Sequence, residues 1–290
     1  MLLTNLLQKS GAVIVFERLF GGIFRRILRL PESAVTPVIF GLIGGYPAGA
    51  VLTFEQYKTG ALTADEACKI MRFNLCGGLA FTITAVGGYY GSIKTGALLY
   101  CASLFSSTVI AIFSAITSKS KSGTKSVSEP LPLSDALCKS AEASGYGIII
   151  MSAYIILFCA IARVLSPPQF LTPLLEITSG IFTAKEKIPL PYCAFFLTFG
   201  GLSVHLQIAG MLAKMRVKYI GFLIYRTLGA VLSFGFCKAY CLLFPQSATV
   251  FSDSAVAVPF QFSESASFGI LAMLGCAVLV LDIENRKIRL

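Results

Sequence analysis

Long apolar stretches, separated by short polar segments, follow one another along this chain. Because a bilayer crossing takes roughly 20 mostly apolar residues, the pattern predicts about seven transmembrane crossings. They cover residues 3–24, 73–90, 95–117, 145–165, 191–213, 219–244 and 266–282. The first carries Lys9, Glu17 and Arg18, which leaves open whether it crosses fully or lies partly in the interface as an amphipathic helix.

Two further apolar stretches, residues 34–54 and 171–182, are interrupted by glycine and proline. Both residue types break a regular helix, so these stretches predict re-entrant helical hairpins. Each half of the chain then contains a crossing, a hairpin and two more crossings, in opposite orientations. The sequence therefore predicts an all-α, polytopic integral membrane protein of two inverted repeats. These are residues 1–117 and, after a cytoplasmic linker at 118–143, residues 144–290, which include a final extra crossing.

The composition agrees with a membrane protein and argues against an enzyme. Apolar residues make up 56% of the 290 positions and charged residues 13%, with a mean hydropathy of +0.78, whereas a soluble domain carries about 25% charged residues. His205 is the single histidine, and none of the nine cysteines forms a Cys-x-x-Cys pair. We therefore expect no enzymatic activity, no bound metal and no cofactor, apart from a coupling H⁺ or Na⁺.

The positive charge indicates how the chain is oriented rather than what it binds. The net charge of +10 would suit a nucleic acid, but most of the 24 lysines and arginines stand at the ends of apolar stretches. The positive-inside rule assigns these clusters to the cytoplasm, which predicts an N-terminus outside and a C-terminus inside. The expected partners are the lipid bilayer and a small-molecule substrate, not nucleic acid, and a homo-oligomer is left open. The clusters lie at residues 25–29, 58–72, 119–139, 214–218 and 286–289.

The first candidate site is the glycine-rich break inside the hairpin at residues 34–54. Gly44, Gly45, Pro47 and Gly49 prevent a regular helix there, and Tyr46 stands among them. Irregular backbone at membrane depth is tolerated only where it lines a cavity or is buried in protein. These five residues therefore predict a substrate-binding hairpin tip, with close helix packing through small residues as the alternative.

The second candidate site is the corresponding break in the hairpin at residues 171–182. Glu176 lies in an otherwise uncharged apolar stretch and is followed by Thr178, Ser179 and Gly180. An ionisable residue inside the membrane is a functional candidate by default. Three roles stay open for Glu176: a proton carrier, a sodium ligand, or the ion-pair partner of a buried cation such as Arg226.

Polar side chains in the crossings after the hairpins complete the candidate site. Asn74, Ser203 and Gln207 are placed on helix faces by spacings of three or four, and amides in hydrocarbon need hydrogen-bond partners. His205 is offset from that stripe, which favours a packed, hydrogen-bonded histidine. Arg226 lies deep in its crossing and is a candidate counter-charge for an anion. The two small and polar stripes are Asn74, Gly78, Thr82, Ala85 and Gly88, and Gly200, Ser203, Gln207 and Gly210.

Three motifs carry a resemblance to a known family. The segment from Gly44 to Ala50 with the LTADEA stretch at residues 62–67, the segment at 176–180 and the segment at 199–207 resemble sporulation integral membrane proteins of endospore-forming Firmicutes. That family, of the stage V sporulation protein V kind, carries the nucleoside-recognition gate domain and is distantly similar to concentrative nucleoside transporters.

The resemblance implies a secondary transporter that moves dipicolinic acid across the outer forespore membrane. Dipicolinate is a small, flat, aromatic dianion, and the resemblance implies stacking on Tyr46 and hydrogen bonds from the hairpin amides and from Asn74 or Gln207. Two alternatives stay open. One is a nucleoside transporter of the same architecture, and the other is a non-transporting membrane scaffold or gate subunit of sporulation.

Overall fold

The structure is a computed structural model that describes residues 2–11, 13–117, 131–183 and 188–244. Within these ranges the chain forms helices and connecting segments, without strands, as predicted. The helices are α1 (Leu2–Lys9), α2 (Val13–Ile23, continued by the π-helix Phe24–Leu28), α3 (Val35–Gly44, preceded by the 3₁₀ turn Glu32–Ala34), α4 (Ala48–Lys58), α5 (Ala64–Met71), α6 (Gly87–Tyr89, preceded by the π-helix Phe81–Val86), α7 (Ile93–Thr117), α8 (Leu133–Leu165), α9 (Thr172–Leu175, preceded by the 3₁₀ turn Gln169–Leu171), α10 (Ile177–Thr183), α11 (Leu190–Phe199), α12 (Leu202–Lys214) and α13 (Tyr219–Leu243).

Both predicted hairpins are pairs of helices that pack against each other. The stretch at 34–54 contains α3 and α4, which are separated by residues 45–47, and the stretch at 171–182 contains α9 and α10, which meet at Glu176. The glycine and proline cluster therefore marks the turn of the first hairpin, as the sequence predicts. The turn of the second hairpin lies at Glu176, between Pro173 in α9 and Gly180 in α10. Re-entry of these hairpins into lipid stays a prediction.

Four helical spans in the described ranges are long and apolar enough to cross a membrane, so the number seven is not confirmed. They are Ile93–Thr117, Leu133–Leu165, Leu190–Lys214 and Tyr219–Leu243, which contain the predicted crossings at 95–117, 145–165, 191–213 and, up to Leu243, 219–244. A fifth would form if Val13–Leu28 and Glu32–Gly44, which are bent by 102°, made one span. The predicted final crossing at 266–282 lies outside the described residues.

Three predicted crossings are wrong as continuous helices. The segment at 191–213 consists of α11 and α12, which are separated by the non-helical residues 200 and 201. The segment at 3–24 consists of the short helices α1 and α2, and the segment at 73–90 is not helical over residues 72–78. Counting apolar residues does not detect the interruptions in 3–24 and 73–90. Neither segment contains proline, and glycine is a much weaker helix breaker than proline. Asn74 and Gly78 therefore do not belong to a helix face, although Thr82 and Ala85 are helical.

The second part of the predicted linker at 118–143 is helical. Helix α8 begins at Leu133 and runs for 33 residues, about 50 Å at 1.5 Å per residue, which exceeds the roughly 30 Å of a hydrocarbon core. Its first turns hold the N-terminus of the chain, since Lys9 Nζ donates to the Lys139 carbonyl at 2.7 Å. That contact puts Lys9 at the linker end of α8, whereas a full crossing at 3–24 would put it at the opposite end. Residues 118–130 lie outside the described ranges.

Lysines of two separate connections meet at one aromatic ring. The ammonium groups of Lys58 and Lys214 lie 4.8 Å and 5.9 Å from the centroid of the Phe54 ring. The guanidinium of Arg72 lies 4.4 Å from the ring of Tyr225. The charge pattern predicts that the clusters at 58–72 and 214–218 share a side of the membrane, and the approach of Lys58 and Lys214 to one ring agrees with that prediction. The side of the membrane that these clusters face stays a prediction.

Helix α13 packs against α11 and α7 and so joins the two halves of the chain. Hydroxyl groups supply the polar contacts of this packing. Ser106 Oγ donates to the Gly229 carbonyl at 2.6 Å, and the hydroxyls of Ser103 and Thr198 lie 3.0 Å apart. Small residues that hydrogen-bond between helices are typical of transmembrane packing.

Candidate functional site

The tip of the first hairpin docks onto the non-helical segment that follows it. We call residues 44–47 the first tip and residues 72–78 the first break. Gly45 ends α3 with φ +77°, and a Cβ there would lie 2.2 Å from the amide nitrogen of Gly78. Tyr46 N donates to the Cys76 carbonyl at 3.0 Å. Only glycine permits this approach of backbone to backbone, so Gly45 is a docking residue rather than a ligand of the cavity.

Asn74 and Gly49 hold the first hairpin closed. The Asn74 side-chain amide Nδ2 donates to the carbonyls of Pro37 and Gly49 at 3.2 Å and 3.1 Å and to Thr53 Oγ1 at 3.0 Å. A Cβ on Gly49 would lie 2.7 Å from the Asn74 carbonyl oxygen and 2.9 Å from Gly41 Cα. Asn74 and Gly49 therefore stabilise the packing of the hairpin rather than line a binding site.

The carboxylate of Glu176 caps the second hairpin from within. Residues 175–177 form the second tip, in which Glu176 is extended and precedes α10. Its carboxylate accepts from the amide of Thr178 at 3.0 Å, from the amide and hydroxyl of Ser179 at 2.6 Å and 2.8 Å, and from the hydroxyl of Thr178. A negative group bonded to the free amides of a helix N-terminus is stabilising. The donors of Thr178 and Ser179 are therefore used to bind the Glu176 carboxylate.

The second tip docks onto the break between α11 and α12. We call residues 199–201 the second break. A Cβ on Gly201 would lie 2.9 Å from the Leu175 carbonyl and 3.1 Å from Glu176 Cα. Within the hairpin, a Cβ on Gly180 would lie 2.6 Å from Pro173 Cα. Gly180 is therefore a packing residue, and the second tip repeats the docking of the first.

Arg226 reaches both breaks from α13. It is 4% exposed, and its guanidinium donates to the Phe199 carbonyl at 2.8 Å from Nη2 and 3.3 Å from Nε. It also donates to the carbonyls of Leu75 and Thr198. In the described ranges the ion pair within 4.0 Å joins Arg25 and Glu32, so an ion pair between Glu176 and Arg226 is not formed.

A cavity of about 330 Å³ lies between the two tips. Seven of the thirteen predicted site residues line it: Gly44, Tyr46, Pro47, Glu176, Thr178, Ser203 and Gln207. The other six do not line the cavity and have the packing and hydrogen-bonding roles described above. They are Gly45, Gly49, Asn74, Ser179, Gly180 and Arg226. The rest of the wall is formed by Ile43, Gly78, Ala80, Phe81, Met151, Ile155, Ile177 and Val204.

Three polar side chains of the wall are available to a ligand. The Tyr46 hydroxyl is buried and has no hydrogen-bond partner among the described residues. Ser203 and Gln207, one turn apart on α12, bond to none of the described residues and are 1% and 8% exposed. Because buried polar groups cost free energy unless they are hydrogen-bonded, a solute that pairs with these groups gains binding energy.

His205, between Ser203 and Gln207 on α12, is a packed histidine, as the sequence favours. Its Nε2 lies 3.0 Å from the Phe199 carbonyl and its Nδ1 lies 2.6 Å from the Tyr219 hydroxyl. Since a carbonyl only accepts, Nε2 carries the proton and Nδ1 accepts from Tyr219. His205 therefore orients the second break and does not face the cavity.

Sequence reasoning missed the apolar part of the cavity wall. Phe81, Met151 and Ile155 belong to apolar stretches, where nothing distinguishes a cavity-lining residue from one that faces lipid. Gly78 belongs to the small and polar stripe that the sequence predicts, but it is not among the predicted site residues. The pair Gly77-Gly78, which matches Gly200-Gly201 in the second half, is the signal that could have added it. Among the residues that the structure describes, no cluster of three His, Cys, Asp or Glu side chains could hold a metal ion.

Comparison with known proteins gives one informative similarity. The chain is 22% identical over 282 aligned positions to "Sporulation integral membrane protein YlbJ" of Bacillus subtilis (strain 168), covering 79% of this chain and 69% of that protein. No family model matches the chain, and no solved structure matches it. The similarity supports a sporulation integral membrane protein, and together with the long apolar helices it supports a multi-pass membrane protein.

Proposed function

We propose that this chain is a secondary transporter that moves a small aromatic metabolite across a membrane during endospore formation. The observation that carries the proposal is the meeting of two helical hairpins and two broken segments around one cavity. Transporters of several folds bind their substrates where discontinuous helices meet near the bilayer midplane. The similarity to a sporulation integral membrane protein supports the cellular context, with the outer forespore membrane as the proposed location.

The order of elements supports two inverted repeats. After an entry segment, the first half has the hairpin α3–α4, a break at residues 72–78 and the long helix α7. After α8, the second half has the hairpin α9–α10, a break at residues 199–201 and the long helix α13. Inversion of the second set relative to the first would let the two tips reach the cavity from opposite sides of the membrane.

Dipicolinate is the cargo that the family resemblance implies. The cavity of about 330 Å³ is at the small end of the range for ligand sites, which suits a single-ring metabolite. The Tyr46 ring offers a surface for stacking, while the Ser203 hydroxyl and the Gln207 amide offer donors to carboxylates or to the ring nitrogen. Asn74 is not available for this role, because its amide donors are bonded within the first hairpin.

A nucleoside is the second candidate cargo, favoured by the charge of the wall. Glu176 is the charged residue among the described residues that line the cavity, and an unpaired anion beside it would be repelled. A neutral ring with amide-like edges pairs with the Gln207 side chain without that cost. Transport of dipicolinate would require that its charge be compensated, for example by a proton carried on Glu176 or on the solute.

Binding to the purified protein in nanodiscs tests the proposal and separates the two cargoes. Dipicolinate, uridine and a simple non-aromatic dicarboxylate are titrated in turn by calorimetry, with Gln207→Leu as the matched variant. We expect saturable binding of one aromatic solute that Gln207→Leu weakens at least about tenfold, the equivalent of 1.4 kcal/mol. Absence of saturable binding of all three would contradict the transporter and leave the scaffold role.

A further inference from the structure

Arg226 is a buried cation without a carboxylate partner. It is 4% exposed, and in the described part of the chain the ion pair within 4.0 Å involves other residues. An unpaired buried charge is costly unless its hydrogen bonds are satisfied by strong acceptors. The acceptors here are all main-chain carbonyls, so the backbone compensates the charge.

The carbonyls that Arg226 contacts come from both broken segments. Leu75 belongs to the first break, whereas Thr198 and Phe199 lie where α11 ends at the second break. Carbonyls at the end of a helix lack an intrahelical partner and carry the negative end of the helix dipole. Such carbonyls in discontinuous helices are the groups that coordinate a coupling cation in secondary transporters.

We propose that the guanidinium of Arg226 is a tethered cation, which fills the position between the two breaks that a free monovalent cation would otherwise occupy. The planar guanidinium carries five N–H donors and so serves three carbonyls from two directions, which a point charge does less well. The functional consequence of this inference, given next, rests on the proposed transport function. Solute binding and transport by this chain require no sodium ion at the junction of the breaks.

Chemical rescue of an emptied site tests the proposal. Arg226→Ala removes the cation and leaves the carbonyls of Leu75, Thr198 and Phe199 without it. The melting temperature of this variant in nanodiscs is compared in millimolar guanidinium, sodium and choline chlorides at equal ionic strength. We expect Arg226→Ala to melt below the parent protein and to regain at least half of that loss with guanidinium, in part with sodium, and not with choline, which is too large.

Lys238→Ala is the matched control, because Lys238 is an exposed cation on the same helix, near the ring of Phe234. This variant is expected to show no response that differs between the three salts. A response of Arg226→Ala no larger than that of Lys238→Ala would overturn the tethered cation and leave Arg226 as an ordinary packing residue.

A second variant covers the case in which Arg226→Ala does not fold. Arg226→Lys keeps the charge, and we expect it to fold and to bind solute with weakened affinity in sodium-free buffer. A requirement of the parent protein for sodium in solute binding would overturn the inference. The two proposals fail separately, since the salt response is read without solute, whereas failure of the transport proposal appears as absence of saturable solute binding.

Discussion

Both hairpin tips pack closely against a broken segment, but different side chains hold the two hairpins in place. In both, a glycine lets backbone approach backbone, Gly45 against Gly78 in the first half and Gly201 against Leu175 in the second. The first hairpin is then fastened by a neutral side chain from its break, Asn74. The second is fastened by a charged side chain of its own tip, Glu176.

This difference assigns the two tips different tasks. The first tip presents backbone and the ring and hydroxyl of Tyr46 to the cavity. The Asn74 amide, which holds the first hairpin, does not line the cavity. The second tip brings a carboxylate to the cavity wall, so its fastening and its contact with solute share one group. A substitution of Glu176 therefore affects both the stability of the hairpin and the cavity. In the first half, a substitution of Asn74 affects stability without changing a cavity-lining residue.

The largest effect is expected at the first tip. Gly45→Ala adds a Cβ 2.2 Å from Gly78 N at φ +77°, so the tip must leave the first break, and we expect a loss of about 4 kcal/mol or more in stability. Gly60→Ala is the matched control, since Gly60 has the same φ with open space around it. Its cost should be about 1–2 kcal/mol, measured by unfolding in detergent. Equal losses for both would show that the tip is not docked.

The neutral fastening of the first hairpin is tested by Asn74→Leu. The two N–H groups of this buried amide are shared among three acceptors, and their loss should lower the free energy of unfolding by about 2–3 kcal/mol. Asn5→Leu removes a single buried amide bond, to Ser144 at 3.0 Å, and should cost about 1 kcal/mol. If the two losses were equal, Asn74 would not hold the hairpin.

The charged fastening of the second hairpin is tested by Glu176→Gln. The amide keeps one acceptor oxygen but meets the donors of Thr178 and Ser179 with its own donor, so we expect a loss of about 1–2 kcal/mol. Glu142→Gln, at an exposed position on α8, should leave stability unchanged. If Glu176 also carries the coupled proton, Glu176→Gln abolishes the pH dependence of uptake into proteoliposomes; unchanged dependence would exclude that role.

The smallest effect on stability is expected where no fastening is involved. Gln207 is bonded to none of the described side chains or carbonyls, so Gln207→Leu should change the free energy of unfolding by less than about 0.5 kcal/mol while weakening solute binding. Leu206→Ala, on the exposed face of the same helix, should leave binding unchanged. A large loss of stability in Gln207→Leu would place Gln207 among the fastening residues.

Local sequence signals predict the hairpins because glycine and proline act on their own backbone. The cluster from Gly44 to Gly49 and the polar interruption at Glu176 both mark the turns where the structure has them. The first break is different. Residues 73–90 are apolar enough for a crossing, whereas the contacts that hold residues 72–78 in a non-helical form, the docking of the first tip and the bonds of Asn74, are tertiary.

The roles within the site depend on contacts that spacing does not contain. The depth of Arg226 in its helix is visible in the sequence, but its partners are carbonyls from residues 27, 28 and 151 positions away rather than the carboxylate of Glu176. In the same way, Gly49 and Gly180 share the composition of a binding tip and serve packing. The cavity-lining subset is fixed by tertiary structure.

The central claim is that both hairpins face one solute-binding cavity. Thiol labelling by a membrane-impermeant reagent tests it, with Ile43→Cys for the first hairpin and Thr178→Cys for the second, each in a background without the native cysteines. Both positions line the cavity. The account predicts that one saturating solute, dipicolinate or uridine, slows labelling at both positions. Protection at one position alone, or at neither while the solute is bound, would contradict it.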